Sequence, residues 1–322
     1  MIERKGMMPQ RDHYRRHKRR IWPWILAGLA LLVLIVLGGT YFGAKQVADD
    51  LYAPTQGRDQ AKESAERNPK LGEDPISVLL VGMDSGNGRT TGEQNTDALI
   101  LLTLNPKTGS AKMLSIPRDT YSEQVGTKIN AAYGQGGIEA TIGAVQELLN
   151  VPVDYYALVN MTGLVNIVDS LGGIQVDNPL SFSNMGYSFP QGRITLHDGQ
   201  EAMAYIRMRY EDPEGDFGRA RREQVVLRGI LDSLRSVQSL THLKDLSDIV
   251  RQNVRTDLQL SDMMVLAKDY RNTADAIEQG VLKGTDDMST GTYLSIVSEE
   301  DRQEASNRLR QHLELPKASL SD

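Results

Sequence analysis

The feature that most limits what this chain can be is the run IWPWILAGLALLVLIVLGGTYFGA at positions 21–44, which holds 24 residues without one charge. At about 1.5 Å per residue, a helix of that length crosses a hydrocarbon layer of about 30 Å with some tilt. Trp22 and Trp24 stand at one end and Tyr41 and Phe42 at the other, as aromatic side chains do at lipid–water boundaries. Residues 1–20 carry eight basic and two acidic side chains, so the remaining chain sits at −12 although the whole sums to −6. Basic clusters stay on the cytoplasmic side, and the expectation is an uncleaved single-pass anchor over 21–44. Residues 1–20 would form a cytoplasmic tail, and 45–322 would lie outside the cell membrane. A cleaved leader fits less well, since its apolar region is usually shorter and no small-x-small site precedes Lys45. The tail RDHYRRHKRR would also suit nucleic acid or anionic lipid, but its place beside the apolar run makes topology the simpler explanation.

The acidic remainder argues against a nucleic-acid partner, which would select a basic surface. The absence of Cys excludes a disulfide scaffold, a thiol nucleophile, a Cys zinc site and a lipid-modified cysteine. The five His are too scattered for a metal cluster.

From Lys45 to Pro75 the chain is rich in charge, Gln and Ala and lacks a sustained apolar face, as expected for a stalk. The folded body is expected over 76–322. It opens with ISVLLVGM (76–83), ALILLTL (98–104) and AKMLSI (111–116), the first two nearly continuous in branched apolar residues, as central strands of an α/β sheet are. NPKTG (105–109) is a turn between the second and third runs. If the 84–97 loop also reverses the chain, the end of the first strand, the start of the second and the end of the third share one sheet edge. That edge gathers Asp84, Asp97, Arg118 and Asp119, where α/β sheets place their binding sites.

Helical spacing marks 136–150 and 162–173, and LHDGQEAMAYIRMRY (196–210) reads as a short helix followed by an extended IRMRY, which would point Arg207 and Arg209 to one face. A helix follows with Arg219 and Arg222 near its N-terminus, where cations oppose the helix dipole unless an anion relieves them. Further helices are expected at 245–254, 260–270 and 299–313. Converging arginines suit phosphate oxygens through their planar fork, and Asp84 and Asp97 add hard oxygen ligands. Mg²⁺ binds through one or two carboxylates together with substrate phosphates, so this set suits a diphosphate and Mg²⁺. The alternative is that the arginines pair with the local acids Glu201, Glu211, Asp212, Glu214 and Asp216. The loop GMDSGNGRTTG lacks the P-loop and dinucleotide spacings, and GxSxG, SxxK and HExxH are absent. His197, in HDG before a helix, is expected to cap or pack rather than act as a base.

The ordered set LLVGMD, NTDALILLTLNPKTG, MLSIPRDTY, KINAAYGQGG, YYALVNMTGLVNIVDSLGGIQVD and LHDGQEAMAYIRMRYEDPEGDFGRARRE is similar to the LytR-CpsA-Psr family of cell-wall proteins, across roughly 76–234. The resemblance implies a three-layer α-β-α sandwich with a mixed central sheet and a hydrophobic groove for a polyprenyl chain. It implies a Mg²⁺ (or Mn²⁺) dependent phosphotransferase that moves an anionic glycopolymer, such as wall teichoic acid or capsule, from undecaprenyl diphosphate to peptidoglycan. The acceptor would be the MurNAc 6-hydroxyl. Carried over by motif, Asp84 and Asp97 correspond to acids at the metal and diphosphate, and with Arg118 to the catalytic set. Arg118, Arg207, Arg209, Arg219 and Arg222 correspond to diphosphate-binding arginines, with Asp119, Lys128 and Asn130 in support. Glu223 stands where relatives usually have Gln, and Asn95 where many have Arg, so an acid falls beside the diphosphate. Implied partners are the lipid-linked polymer, peptidoglycan, membrane lipid and other cell-wall synthesis proteins. The lipid slot is expected between the sheet and helices 136–150 and 162–171. Two other roles suit the same residues: a membrane-bound regulator or scaffold that holds polyprenyl diphosphate without turnover, and a polyprenyl pyrophosphatase.

Overall fold

The computed structural model describes residues 41–55, 69–83, 95–208, 212–236, 243–289 and 291–320. Most of the expected anchor, together with Asp84 and Arg209, lies outside them. Among the described residues, no helix is long and apolar enough to cross a membrane.

In chain order the elements are α1 (Tyr41–Leu51), β1 (Ile76–Met83), β2 (Thr96–Asn105), β3 (Ser110–Ile116), β4 (Tyr121–Ser122), β5 (Thr127–Lys128), α2 (Ala132–Leu149), β6 (Tyr155–Asn160) and α3 (Met161–Ser170). There follow β7 (Ile174–Asn178), β8 (Phe182–Asn184), β9 (Tyr187–Phe189), β10 (Gly192–Leu196), α4 (Gly199–Arg207), α5 (Asp216–Ser236), α6 (Leu243–Asn253) and β11 (Val254–Thr256). The C-terminal part holds α7 (Leu260–Asp269), β12 (Ile277–Val281), β13 (Thr285–Asp287), β14 (Leu294–Ile296) and α8 (Glu299–His312).

Six strands form the central sheet in the order β11-β6-β1-β2-β3-β12. The β1-β2-β3 meander is antiparallel, whereas β6 joins β1 and β12 joins β3 in parallel, so the sheet is mixed as expected. Successive residues of a strand face opposite sides. Ile76 and Val78 enter one buried cluster with residues of α1 and α3 to α7, while Leu79 and Val81 enter a second with α2 and α8. Both faces are therefore covered, which is why β1 and β2 read as almost unbroken apolar runs. The layers are helix, sheet, helix.

Two details depart from the sequence expectations. Residues 45–55 do not form a free stalk. Val47, Ala48 and Leu51 are buried in the first cluster, and the Tyr156 hydroxyl donates to the carbonyl of Ala53 at 2.5 Å. Their charged neighbours Asp49 and Asp50 are exposed and masked the apolar face of a short helix. In α2, Gly136 and Gly137 break the helix geometry, Gly137 with φ of 67°, a conformation that suits a residue without Cβ. The regular periodicity of that helix accordingly starts at Ile138.

The end of α8 is tied to the sheet through His312. Its Nδ1 is 2.8 Å from Thr103 Oγ1 and its Nε2 2.9 Å from Ser110 Oγ, and its carbonyl accepts from Asn105 Nδ2. Burial is the main cause that lowers this imidazole to about 4, with Lys112 adding to the shift. The unfolded chain takes up a proton near pH 6.5 that the folded chain refuses down to about 4. Stability attributable to His312 is thus complete above pH 6.5 and is lost as pH falls toward 4, by about 3 kcal/mol. Denaturant titrations from pH 7 to 5 should show this slope, and His312→Gln should flatten it.

Candidate active site

The meander places the start of β2 and the end of β3 at one sheet edge, and there Arg118 Nη1 donates to Asp97 Oδ1 at 2.7 Å. The expected gathering of Asp97, Arg118 and Asp119 is present. Helix α5 adds Arg219, whose Nη2 lies 3.3 Å from Asp97 Oδ1 and donates to the Asp97 carbonyl at 3.1 Å. One carboxylate oxygen is therefore shared by two guanidinium groups, one from the turn after β3 and one from α5. On the same helix, Arg219 Nε donates to Glu223 Oε1 at 3.2 Å, one turn on. Glu223 thus turns toward an arginine and limits its rotation.

A second layer backs Arg118. Asp119 is buried, with Oδ2 3.7 Å from Arg118 Nε and Oδ1 accepting from Lys128 Nζ at 2.5 Å. The backbone N–H of Asn130 donates to the Arg118 carbonyl at 3.2 Å, which fixes the turn that carries Arg118. Asp119 and Asn130 thus contact Arg118 directly, and Lys128 reaches it through Asp119.

Arg222 is different. It is buried, ion-paired with Asp212 and bonded to the carbonyl of Met208, and its guanidinium carbon lies 5.5 Å from the Phe182 ring centroid. For this residue the pairing with local acids holds, as it does for Arg221 with Glu214. Arg222 secures both ends of the 208–212 segment. Arg207 is exposed at the last position of α4, so IRMRY is not an extended strand through that point. The helix wins because Asp198 caps it, accepting from the Glu201 N–H at 2.7 Å, and because Ala202 to Ile206 bury its inner face. The His197 side chain is exposed, with Nδ1 2.8 Å from Glu201 Oε2, and the cap is supplied by Asp198 instead.

No local pattern in the residues marks Gln224 as part of the site. This buried side chain donates to Ser115 Oγ at 2.5 Å and to the Gly280 carbonyl at 3.3 Å, pinning α5 to β3 and β12. A polar residue one step after Glu223 looks like surface until the sheet edge is known.

An open apolar cleft of about 130 Å³ adjoins the charged cluster. Leu80, Ile100, Val159, Leu164, Ile206 and Leu227 line it, and Glu223 and Ala98 form the wall nearest Arg219 and Asp97. It lies between the sheet and α3, α4 and α5. The expected role for helix 136–150 is therefore corrected, since Ala144, Val145 and Leu148 pack into the second cluster on the opposite face. Periodicity marks which side of a helix is apolar but not which side of the sheet receives it.

A family model for LytR_cpsA_psr matches residues 39–311. The chain belongs to the LytR_cpsA_psr family. It is 38% identical over 308 residues to the polyisoprenyl-teichoic acid–peptidoglycan teichoic acid transferase TagU of Bacillus subtilis, covering 94% of this chain and 99% of that one. The crystal structure of B. subtilis TagU matches with a TM-score of 0.60 at 39% identity, over 76% of this chain and all of that one. A structure of TagT bound to LIIa-WTA matches with a TM-score of 0.64 at 30% identity, over 78% and 95% of the two chains. The mixed sheet and its helical layers are the fold of these relatives.

The fit of Mg²⁺ to this family member rests on Asp97. Its Oδ1 takes both arginines, while Oδ2 enters none of these ion pairs. No cluster of three His, Cys, Asp or Glu suited to a metal occurs among the described residues. A single carboxylate suits an ion that keeps its waters and takes its other ligands from substrate phosphates, not a cage built by protein alone.

The arrangement separates two kinds of arginine. Arg222→Ala leaves Asp212 as a buried charge without its cation and should cost about 3 kcal/mol. Arg118→Ala, at a side chain 26% exposed, should cost less than half as much. Chemical denaturation of the two variants checks the order.

Proposed function

We propose that this chain is a phosphotransferase that moves a teichoic acid or similar anionic glycopolymer from undecaprenyl diphosphate to the MurNAc 6-hydroxyl of peptidoglycan, releasing undecaprenyl phosphate. The observation that carries this proposal is the junction of an apolar cleft with a cationic end, Arg118 and Arg219 at Asp97. An amphiphile with a long hydrocarbon chain and a diphosphate head has that polarity. The teichoic acid transferases and the polymer-bound relative among the matched proteins support the same substrate class.

In the reaction the acceptor hydroxyl oxygen forms a bond to the sugar-side phosphorus, and the bond from that phosphorus to the bridging oxygen breaks. The product is a phosphodiester, the lipid keeps one phosphate, and the acceptor's proton passes to a base. Charge spreads over the phosphoryl oxygens in the transition state. Arg118 and Arg219 are already fixed by Asp97, so they neutralise that charge without reorganising. Bound Mg²⁺, held by Asp97 together with Asp84, would supply further neutralisation of the diphosphate. Asp97 Oδ1 is already engaged by two arginines, so it is poorly placed to take the acceptor's proton. Glu223 keeps Arg219 turned toward the junction and sets a limit on how far an anion can slide into the cleft.

The proposed location is the outer face of the cell membrane, with the N-terminus inside. The uncharged run 21–44 and the basic residues before it support this placement. Helix α1 starts within that run and packs on the body through Val47 and Leu51, which would hold the cleft near the bilayer.

The test uses the full chain in detergent with an undecaprenyl-diphosphate-linked glycan, peptidoglycan oligomers and Mg²⁺, read by mass spectrometry. A phosphodiester-linked product is expected, with Arg118→Ala slower by about a hundredfold or more. Free phosphate or polymer release without acceptor would indicate hydrolysis, and bound but unreacted donor would indicate a scaffold.

A further inference from the structure

We propose that Tyr293, far outside the 76–234 motif region, is a positioning residue that acts on Arg118 through Lys128 and Asp119. The inference rests on the reading that Arg118 binds the diphosphate. Four contacts carry it. The Tyr293 ring faces Lys128, with Nζ 5.7 Å from its centroid. Lys128 Nζ donates to Asp119 Oδ1 at 2.5 Å. Asp119 Oδ2 lies 3.7 Å from Arg118 Nε, and Arg118 Nη1 donates to Asp97 at 2.7 Å.

The chain has a physical logic. Asp119 is 5% exposed on its side chain and needs both cations, because a buried carboxylate with one partner removed is costly. Lys128 is 25% exposed, carries its charge on a flexible four-carbon stem and can turn to water instead. The face of an aromatic ring attracts an ammonium group, and Tyr293 supplies that face on the side where Lys128 could turn away. If Lys128 leaves, Asp119 draws Arg118 toward itself, and the hydrogen bond that holds Arg118 on Asp97 loosens.

The hairpin β13–β14 brings the ring to this place by backbone contacts that do not need the side chain. The N–H of Ser295 donates to the Asp119 carbonyl at 2.9 Å, and Thr120 and Ser295 form a parallel bridge. Leu294 and Ser295 are buried beneath it. The Tyr293 hydroxyl donates to Asp286 Oδ1 at 2.8 Å within the hairpin, away from Lys128. The ring and the hydroxyl therefore have separable roles, and the ring is the part that reaches the site.

A double-mutant cycle tests this in the full chain, with Tyr293→Leu, Tyr293→Phe, Lys128→Gln and Tyr293→Leu/Lys128→Gln. Transfer kinetics and the Kd for undecaprenyl diphosphate are read on each, together with Tm. Tyr293→Phe keeps the ring and should stay within about twofold of wild type, while Tyr293→Leu should lose roughly tenfold in kcat/KM at unchanged Tm. The double variant should be no slower than Lys128→Gln alone, since residues acting through one another are not additive. Additive losses, equal impairment of the Phe and Leu variants, or a Tyr293→Leu protein with wild-type kinetics would each overturn the proposal. A wild-type protein without turnover would count against the transfer function alone. The same cycle would then be read on Kd, where an affinity that ignores Tyr293→Leu and Lys128→Gln overturns the positioning role.

Discussion

Two guanidinium groups meeting on one oxygen of Asp97 set the geometry on which the rest of this site depends. Arg118 follows β3 and Arg219 sits on α5, so the pair can converge only if the meander and that helix are both in register. The sheet supplies the first condition by covering both its faces with helices. Gln224 supplies the second by tying α5 to Ser115 and Gly280 at the far edge. Packing far from the charges thus determines where the charges stand.

Like charges in proximity need compensation, and the site provides it in a graded way. Arg222 is bound to Asp212 and a backbone carbonyl and serves the fold. Arg219 divides itself between Asp97 and Glu223, and Arg118 between Asp97 and Asp119. Both present their planar forks beside the cleft, and the acids hold the forks in place. Glu223 would repel a diphosphate as an isolated charge. Paired with Arg219 at the wall of the cleft, it orients a cation and marks the border between apolar and charged surface.

Much of this was legible in the residues, for reasons that can be named. Strands β1 to β3 were visible because a sheet covered on both faces needs uninterrupted apolar runs, and their ends brought Asp97, Arg118 and Asp119 together by topology alone. The excess of arginines is visible in the residues, but sequence does not say that Arg222 pairs with Asp212. The cleft was assigned correctly to helix 162–171 and wrongly to 136–150, since helical spacing says nothing about which face of a sheet is chosen. Arg207 was misread because its segment alternates over a few residues, a pattern too short to outweigh the cap at Asp198 and the buried face of α4. Tyr293 and Gln224 depend on contacts between distant parts of the chain, and no local pattern announces them.

The central claim is that the Asp97 cluster recognises the diphosphate itself and not merely the lipid in the cleft. Isothermal titration of the full chain in detergent, with undecaprenyl diphosphate and undecaprenyl phosphate at fixed Mg²⁺, tests it most directly. The account predicts at least about tenfold tighter binding of the diphosphate, and loss of that preference in Arg219→Ala with affinity for the monophosphate little changed. Equal affinities for the two lipids in the unaltered chain would contradict it.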